Sequence, residues 1–529
     1  FILLSSMPQK HLFMLIFVFI INLVSFSQCK QEAASYWAFG DNSNYQYGNN
    51  NTISFQKPSL VSCSDCLYDF VQIEGDRAGT FFVALDSVGG VWSWGDNSRG
   101  QLGINSVINQ TQPTEIPPVY FNLEGVVRIS VGTAHVVALT VLGNIYTWGD
   151  NSFYQLGYSL AEIDGDVPTY QAFPSIVDSL TSNKIKTISS LPFSNVIVAD
   201  SGEVFCWGLN EDDENTENSK LVLCGISSGS HTYDHIIEAP TLVPIPESAL
   251  IVSAHCGDDF VVVISEKGVL YGWGNNKSAQ FDPINRGIIW QEATKMSIDD
   301  ITSDDVIVRC VQVGRGHTIL ALSNNRIYGT GGNDWGQLCL NPGLEQDRPW
   351  IELVIPNNDI LTTVSSSAIS DPSNHEIEAF DHTLTTNNES TETSNHNTVY
   401  VSRHTLIFTG SYSTMVQIPA GPTYACGEND LGQLGVSSSI NVISSPNKML
   451  FDDDVVISCI LQSDTTSLAL LEDNSLYVPP IAIGKIIAIS VSILVFIVFW
   501  IIVALLWIKD SKKKKEKKLL QDQEWDNDY

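Results

Sequence analysis

The sequence predicts an all-β repeat protein closed as a propeller, and three observations carry that expectation. The ten-residue pattern W-G-D-N-S-x-x-Q-L-G occurs twice almost unchanged, beginning at Trp94 and at Trp148, and looser copies begin at Phe39, Trp207, Trp273, Thr330 and Cys426. An apolar segment ahead of the turn also recurs seven times, centred on Ala84, Ala138, Ile197, Val262, Ala321, Val416 and Ala469. Finally, the chain enters the repeat mid-unit at Tyr36-Trp37-Ala38-Phe39-Gly40 and leaves it mid-unit at Leu476-Tyr477-Val478, so the two half units are expected to complete one shared blade. Units of this size bury their apolar faces only against neighbours, and closure removes exposed sheet edges.

Within a unit the elements follow in order. Val126-Val127-Arg128-Ile129-Ser130-Val131 and Val136-Val137-Ala138-Leu139-Thr140 are short runs rich in β-branched residues, bounded by Gly, Asn and Ser, and read as strands. Leu142-Gly143-Asn144, like Ser201-Gly202 and Lys267-Gly268, suits a hairpin, because glycine accepts positive φ without steric cost. Ile145-Tyr146-Thr147-Trp148-Gly149 is the next strand, and the Asp-Asn turn closes the unit. Spacings between the marker glycines are 55, 54, 59, 66, 57 and 96 residues. Typical propeller repeats run about 40–50 residues, which leaves room for long loops.

The G-x-x-H, L-A-L, G-x-V-Y-x-W-G-x-N and Q-L-G elements together resemble the regulator of chromosome condensation repeat. The resemblance spans roughly residues 34–478 and implies a seven-bladed β-propeller. The fourth unit departs from the pattern, with Glu211-Asp212-Asp213-Glu214 and no Q-L-G. The sixth and seventh markers carry Thr330 and Cys426 where Trp is usual, although the seventh keeps Gly432-Gln433-Leu434-Gly435.

Flanking segments predict an address. Residues 1–27 read as a short upstream extension and a secretory signal, with Lys10 and His11 before an apolar run from Leu12 to Leu23 and small residues at Ser25 and Ser27. Residues 486–508 are 23 in a row without a charge, enough for a transmembrane helix across a core of about 30 Å. Lys509, Lys512 to Lys515, Lys517 and Lys518 follow and mark the cytosolic side. The chain is therefore expected to be a single-pass type I membrane protein, of the plasma membrane or an endomembrane, with the propeller outside or in a lumen. The tail, 509–529, is too short for a folded signalling domain. Residues 361–397, dominated by Ser, Thr, Asn and Glu, read as a disordered low-complexity insertion.

Charge and cysteine usage agree with that address. The chain carries a formal charge of −32. Residues 28–480 hold 53 Asp plus Glu against 18 Lys plus Arg, a net of −35. Nucleic-acid partners are excluded on this ground, since they are held by Lys and Arg. All ten cysteines follow the signal segment, which permits disulfides in an oxidising compartment. Cys63 and Cys66 are expected to close a local loop disulfide rather than a redox or zinc motif. Cys206 and Cys224 flank the acidic loop of the fourth unit and are expected to staple it. Asn50, Asn109, Asn276 and Asn388 head N-x-S/T sequons and are candidate glycosylation sites.

Catalytic chemistry is not expected. His135 and His317 occupy matching positions ahead of core strands, which argues for a structural role tying adjacent backbone. The Asp-Asn pairs at 41–42, 96–97 and 150–151 lack the acidic spacing of a calcium loop and read as turn caps. No catalytic residue, metal ligand or cofactor is assigned. The expected function is non-enzymatic: a membrane-anchored external propeller that binds an as yet unknown protein or glycan ligand, in a receptor or adhesion role, contacted chiefly through the acidic fourth unit and the insertion. Two other classes remain open. The founding member of the resembled family promotes nucleotide exchange on the small GTPase Ran, which implies a guanine-nucleotide exchange factor. A cargo receptor or scaffold of the secretory pathway fits the same topology.

Overall fold

A computed structural model of the chain describes residues 35–63, 66, 68–162, 167–212, 221–226, 235–303, 306–342, 350–356, 405–418, 422–436, 440–451 and 457–471. The signal segment, the insertion at 361–397, the apolar stretch at 486–508 and the tail lie outside the described residues. Among the described residues, no helix is long and apolar enough to cross a membrane.

The described residues form seven four-stranded antiparallel sheets. Blade 2 comprises Phe70–Gly75, Phe81–Asp86, Val91–Gly95 and Gln110–Glu115, counted from the innermost strand outward. Blade 3 comprises Val126–Val131, His135–Thr140, Ile145–Asp150 and Tyr170–Ile176. Blade 4 follows with Ile185–Ser190, Ser194–Ala199, Val204–Leu209 and Ile236–Leu242, and blade 5 with Ile251–Cys256, Phe260–Ser265, Leu270–Asn276 and Ile288–Lys295. Blade 6 has Val308–Val313, His317–Leu322, Ile327–Gly331 and a two-residue outer strand, Ile351–Glu352. Blade 7 has Leu406–Thr409, Ser413–Gln417, Thr423–Glu428 and Val442–Lys448. Blade 1 is shared: Ile457–Gln462 and Thr466–Leu471 supply its inner strands, Ser35–Gly40 and Phe55–Ser62 its outer ones, with Trp37 opposite Ala469 and Phe39 opposite Ser467. The described residues form an all-β seven-bladed propeller, closed through one blade shared by the two ends as expected, although Leu476-Tyr477-Val478 lie outside the described residues.

Second strands are apolar on both faces because each is sandwiched between neighbouring blades. Every residue of His135–Thr140 is buried. Alternation along it splits the core: Val136 and Ala138 pack with Phe81 and Val83 of blade 2, while Val137 and Leu139 pack with Val196 and Val198 of blade 4.

The repeated turn is built by its own side chains. In all seven markers the Asn is buried, and its Oδ1 accepts the N–H of the residue five on, or fourteen on in blade 4: Tyr47, Leu102, Leu156, Cys224, Phe281, Leu338 and Leu434. The Asp carboxylates at 41, 96 and 150 accept from the Ser two residues on and from Gln46, Gln101 and Gln155. They serve as turn caps. The marker glycines all have φ between 95° and 122°, and a Cβ on any of them would collide with a carbonyl of the adjacent hairpin.

These turns also join the blades. The indole N–H of Trp94, Trp148 and Trp207 donates at 2.9 Å to the carbonyl of Gln46, Gln101 and Gln155 in the blade before, and Trp273 donates at 2.8 Å to Leu223. The glycine ending each of those turns packs against the same ring. Leu223-Cys224-Gly225 therefore takes the place of Q-L-G in the fourth unit. At the blade 5–6 seam Thr330 replaces the indole, its hydroxyl donating to Ala279. At the closing seam Phe39 fills the ring position against Gly435, and Ser467 donates to the Gln433 carbonyl.

Candidate binding face

Two of the described disulfides stand where latches stand elsewhere. At the blade 6–7 seam the turn-ending residue is Cys339 rather than Gly, held at φ 58°, and the indole position is Cys426; the two are bonded to each other. Thr414 supplies the missing hydrogen bond, donating to the Gln337 carbonyl at 2.7 Å. Cys206 and Cys224 are also bonded. In blades 2 and 3 that within-blade tether is a hydroxyl, Ser93 donating to Leu102 and Thr147 to Leu156. Cys63 and Cys66, three positions apart, are bonded as well. The Cys339–Cys426 pair escaped sequence reasoning, although both residues sit in recognisable repeat slots. The remaining described thiols, Cys256, Cys310 and Cys459, lie on innermost strands, and burial pushes each up to about 12, which leaves them poor nucleophiles.

The sequons separate. Asn50 and Asn109 are exposed, and Asn388 lies outside the described residues. Asn276 is corrected: it is the buried marker Asn of blade 5, with its Nδ2 donating to Asp282 and Asn285 carbonyls. A sugar on that nitrogen would break both bonds and has no room.

His135 and His317 are fully buried at blade seams. His135 Nε2 meets Asn195 Oδ1 at 2.9 Å, and Asn195 in turn donates to the Gln155 carbonyl. The Asn oxygen is thus an acceptor, so Nε2 carries the imidazole proton and Nδ1, which has no partner, is bare. Burial holds both rings down to about 4.

Inner strands of all seven blades enclose a central cavity of about 250 Å³. Within its wall burial raises Glu74 to about 7, an effect that Gln72 and Arg128 oppose. One end of the cavity opens on the face carrying the marker turns and the hairpins between first and second strands, which are hydrogen-bonded to one another, as from Asp96 to Thr80 and Glu428 to Tyr412. Arg77 of blade 2 and Arg315 of blade 6 both reach Asp258 of blade 5 at 2.5 Å, bridging the mouth. Arg315 also lies over the Tyr412 ring, 5.2 Å from its centre. Trp335, 37% exposed, packs on Tyr412 with the ring centres 5.9 Å apart and the planes tilted by 46°. Phe153 of blade 3, in the same slot of its turn, packs on Phe193 of blade 4. This face offers aromatic rings and fixed charges, and no metal-holding group of His, Cys, Asp or Glu occurs among the described residues.

Family models for the regulator of chromosome condensation (RCC1) repeat match residues 88–139, 143–190 and 126–155. The chain carries RCC1 repeats. A stretch of 306 residues is 25% identical to the human E3 ubiquitin-protein ligase HERC2, covering 57% of this chain and 6% of that protein. The RCC1 domain-containing protein RUG3, mitochondrial, of Arabidopsis thaliana is 27% identical over 269 residues, covering 50% and 54%. The Arabidopsis thaliana ultraviolet-B receptor UVR8 is 24% identical over 339 residues, covering 62% and 67%. The chain thus spans about half of RUG3 and a small part of HERC2. Among solved structures, human WBSCR16 superposes with a TM-score of 0.62 at 14% identity, covering 84% of this chain and all of that one. Prp20p of Saccharomyces cerevisiae superposes with a TM-score of 0.59 at 16% identity, covering 84% and 93%. At these identities the RCC1-repeat likeness to solved structures is one of fold.

Proposed function

We propose that this RCC1-repeat propeller is a non-enzymatic binding platform on the external or luminal side of a membrane, tethered by residues 486–508, whose marker face takes a partner protein. The disulfide at the blade 6–7 seam carries the reading. A thiol pair in place of Gly and Trp is a working latch only where it is oxidised, and structural disulfides persist in secretory and extracellular compartments. The apolar leader, the 23-residue uncharged stretch with lysines after it, and the acidic propeller support the same side. A binding role agrees with relatives whose names describe a receptor, UVR8, and with Prp20p, whose structure is reported with its binding to Gsp1p and histones. Surface biotinylation and glycosidase digestion of the tagged full chain test this reading. Labelling from outside the cell, or a glycosidase-sensitive shift, is expected. An unshifted band confined to nucleus or cytosol overturns it.

A further inference from the structure

We infer that the blade 6–7 seam of the marker face docks a partner protein segment presenting an arginine or lysine side chain beside an apolar residue. The inference deepens the reading of the chain as a binding platform and rests on it. Three carboxylates, Asp258, Asp464 and Glu428, act on the Tyr412 ring of this hairpin, and a fourth, Asp430, acts on Glu428. The cations among them are Arg77 and Arg315, and both are bonded to Asp258. Glu428 shows the imbalance. Burial first, and then repulsion from Asp430 and Asp464, push it up to about 7 against the pull of Arg315. A cation brought by a partner relieves that crowding, whereas an acidic group meets repulsion.

Two further observations point to a ligand. Ser411, next to Tyr412, is only 5% exposed, lines the cavity mouth with Arg315, and its hydroxyl has no hydrogen-bond partner. Asp464 Oδ1 is likewise buried and accepts no hydrogen bond. Trp335 packs on Tyr412 itself, and Leu431 follows Asp430 in the chain; each is 37% exposed in the equivalent slot of its own marker turn. An exposed Trp and a crowded acid together make a natural anchor for a basic residue with an apolar neighbour. The turns that present them are pre-ordered: Cys339 lies four residues after Trp335, Cys426 two before Glu428, and the two cysteines are bonded. Less conformational freedom is then lost on docking.

Fluorescence anisotropy on the purified full chain tests this, with a labelled peptide centred on Leu-Arg-Leu and a sibling centred on Leu-Glu-Leu. The arginine peptide is expected to bind roughly tenfold tighter, and Glu428→Gln with Asp464→Asn, or Trp335→Ala alone, to weaken it by roughly five- to tenfold. Asp200→Asn with Glu203→Gln, two exposed carboxylates on the opposite face, is expected to change it by less than about twofold. Each variant is first shown to melt with the parent. An equal loss with the opposite-face variant, equal binding of the two peptides, or no effect of Trp335→Ala overturns the inference. None of these outcomes depends on where the protein resides, so failure here is separable from failure of the membrane reading.

Discussion

Replacing Cys339 and Cys426 by serine removes the covalent latch while leaving the other seams intact. The bond spans a sequence separation of 87 residues. Releasing a loop of that length in the unfolded chain is worth about 4–5 kcal/mol on the chain-entropy view. For a propeller on the order of 400 residues, unfolding entropy near 60 °C is about 0.8–0.9 kcal/mol per degree, so the melting temperature drops by ~5 °C. Differential scanning calorimetry in non-reducing buffer reads that shift, and reductant should lower the parent but not the double serine variant by the same route. A second variant probes the mechanism rather than the bond. Cys339→Gly with Cys426→Trp rebuilds the latch of the other seams: it relieves a left-handed non-glycine residue and offers an indole N–H to the preceding blade. It should recover at least half of the loss. A double serine variant that melts within about 1 °C of the parent would refute the reasoning, because the entropy of so long a loop would then count for almost nothing.

Other consequences are as direct. Asn97→Ala leaves the Leu102 N–H and the Ser106 carbonyl without their partner inside the turn, and leaves the Ile108 carbonyl with only the Gln110 side-chain amide as donor. The loss should be about 3–5 kcal/mol by denaturant titration. In a glycosylating host, peptide mapping should find Asn276 unmodified, since its amide is fully buried and spent; a sugar found there in folded protein contradicts the turn geometry. His135 and His317 are held near 4 in the fold against about 6.5 when unfolded, so the unfolded chain binds more protons between those values. Stability should therefore fall as pH drops from about 6.5 and the loss should level off below about 4, at about 3 kcal/mol for each ring. The His135→Gln, His317→Gln variant should show a flatter profile over that window.

The repeat was legible because its chemistry is local. Asn97, Gly95, Gln101 and Trp94 each bond or pack within one turn or one seam, so the residue types recur wherever that geometry does. Blade closure was legible for a related reason: a half unit at each end has one neighbour left to pair with. The Cys339–Cys426 bond was not, because Cys in a Gly slot and Cys in a Trp slot look like two separate departures until the blades are stacked. Asn276 was misassigned because a sequon records only Asn-Lys-Ser, while burial comes from the turn that the same Asn builds. The mouth of the cavity was invisible in sequence, since Arg77, Asp258 and Arg315 belong to three blades and meet across the axis.

The most direct test of a disulfide-latched external propeller is thiol mapping of the full chain, with alkylation before lysis of the cells that make it. The account predicts linked peptides for Cys206–Cys224 and Cys339–Cys426, with Cys256, Cys310 and Cys459 alkylated only after denaturation. Cys339 and Cys426 both recovered as free, readily alkylated thiols would contradict it.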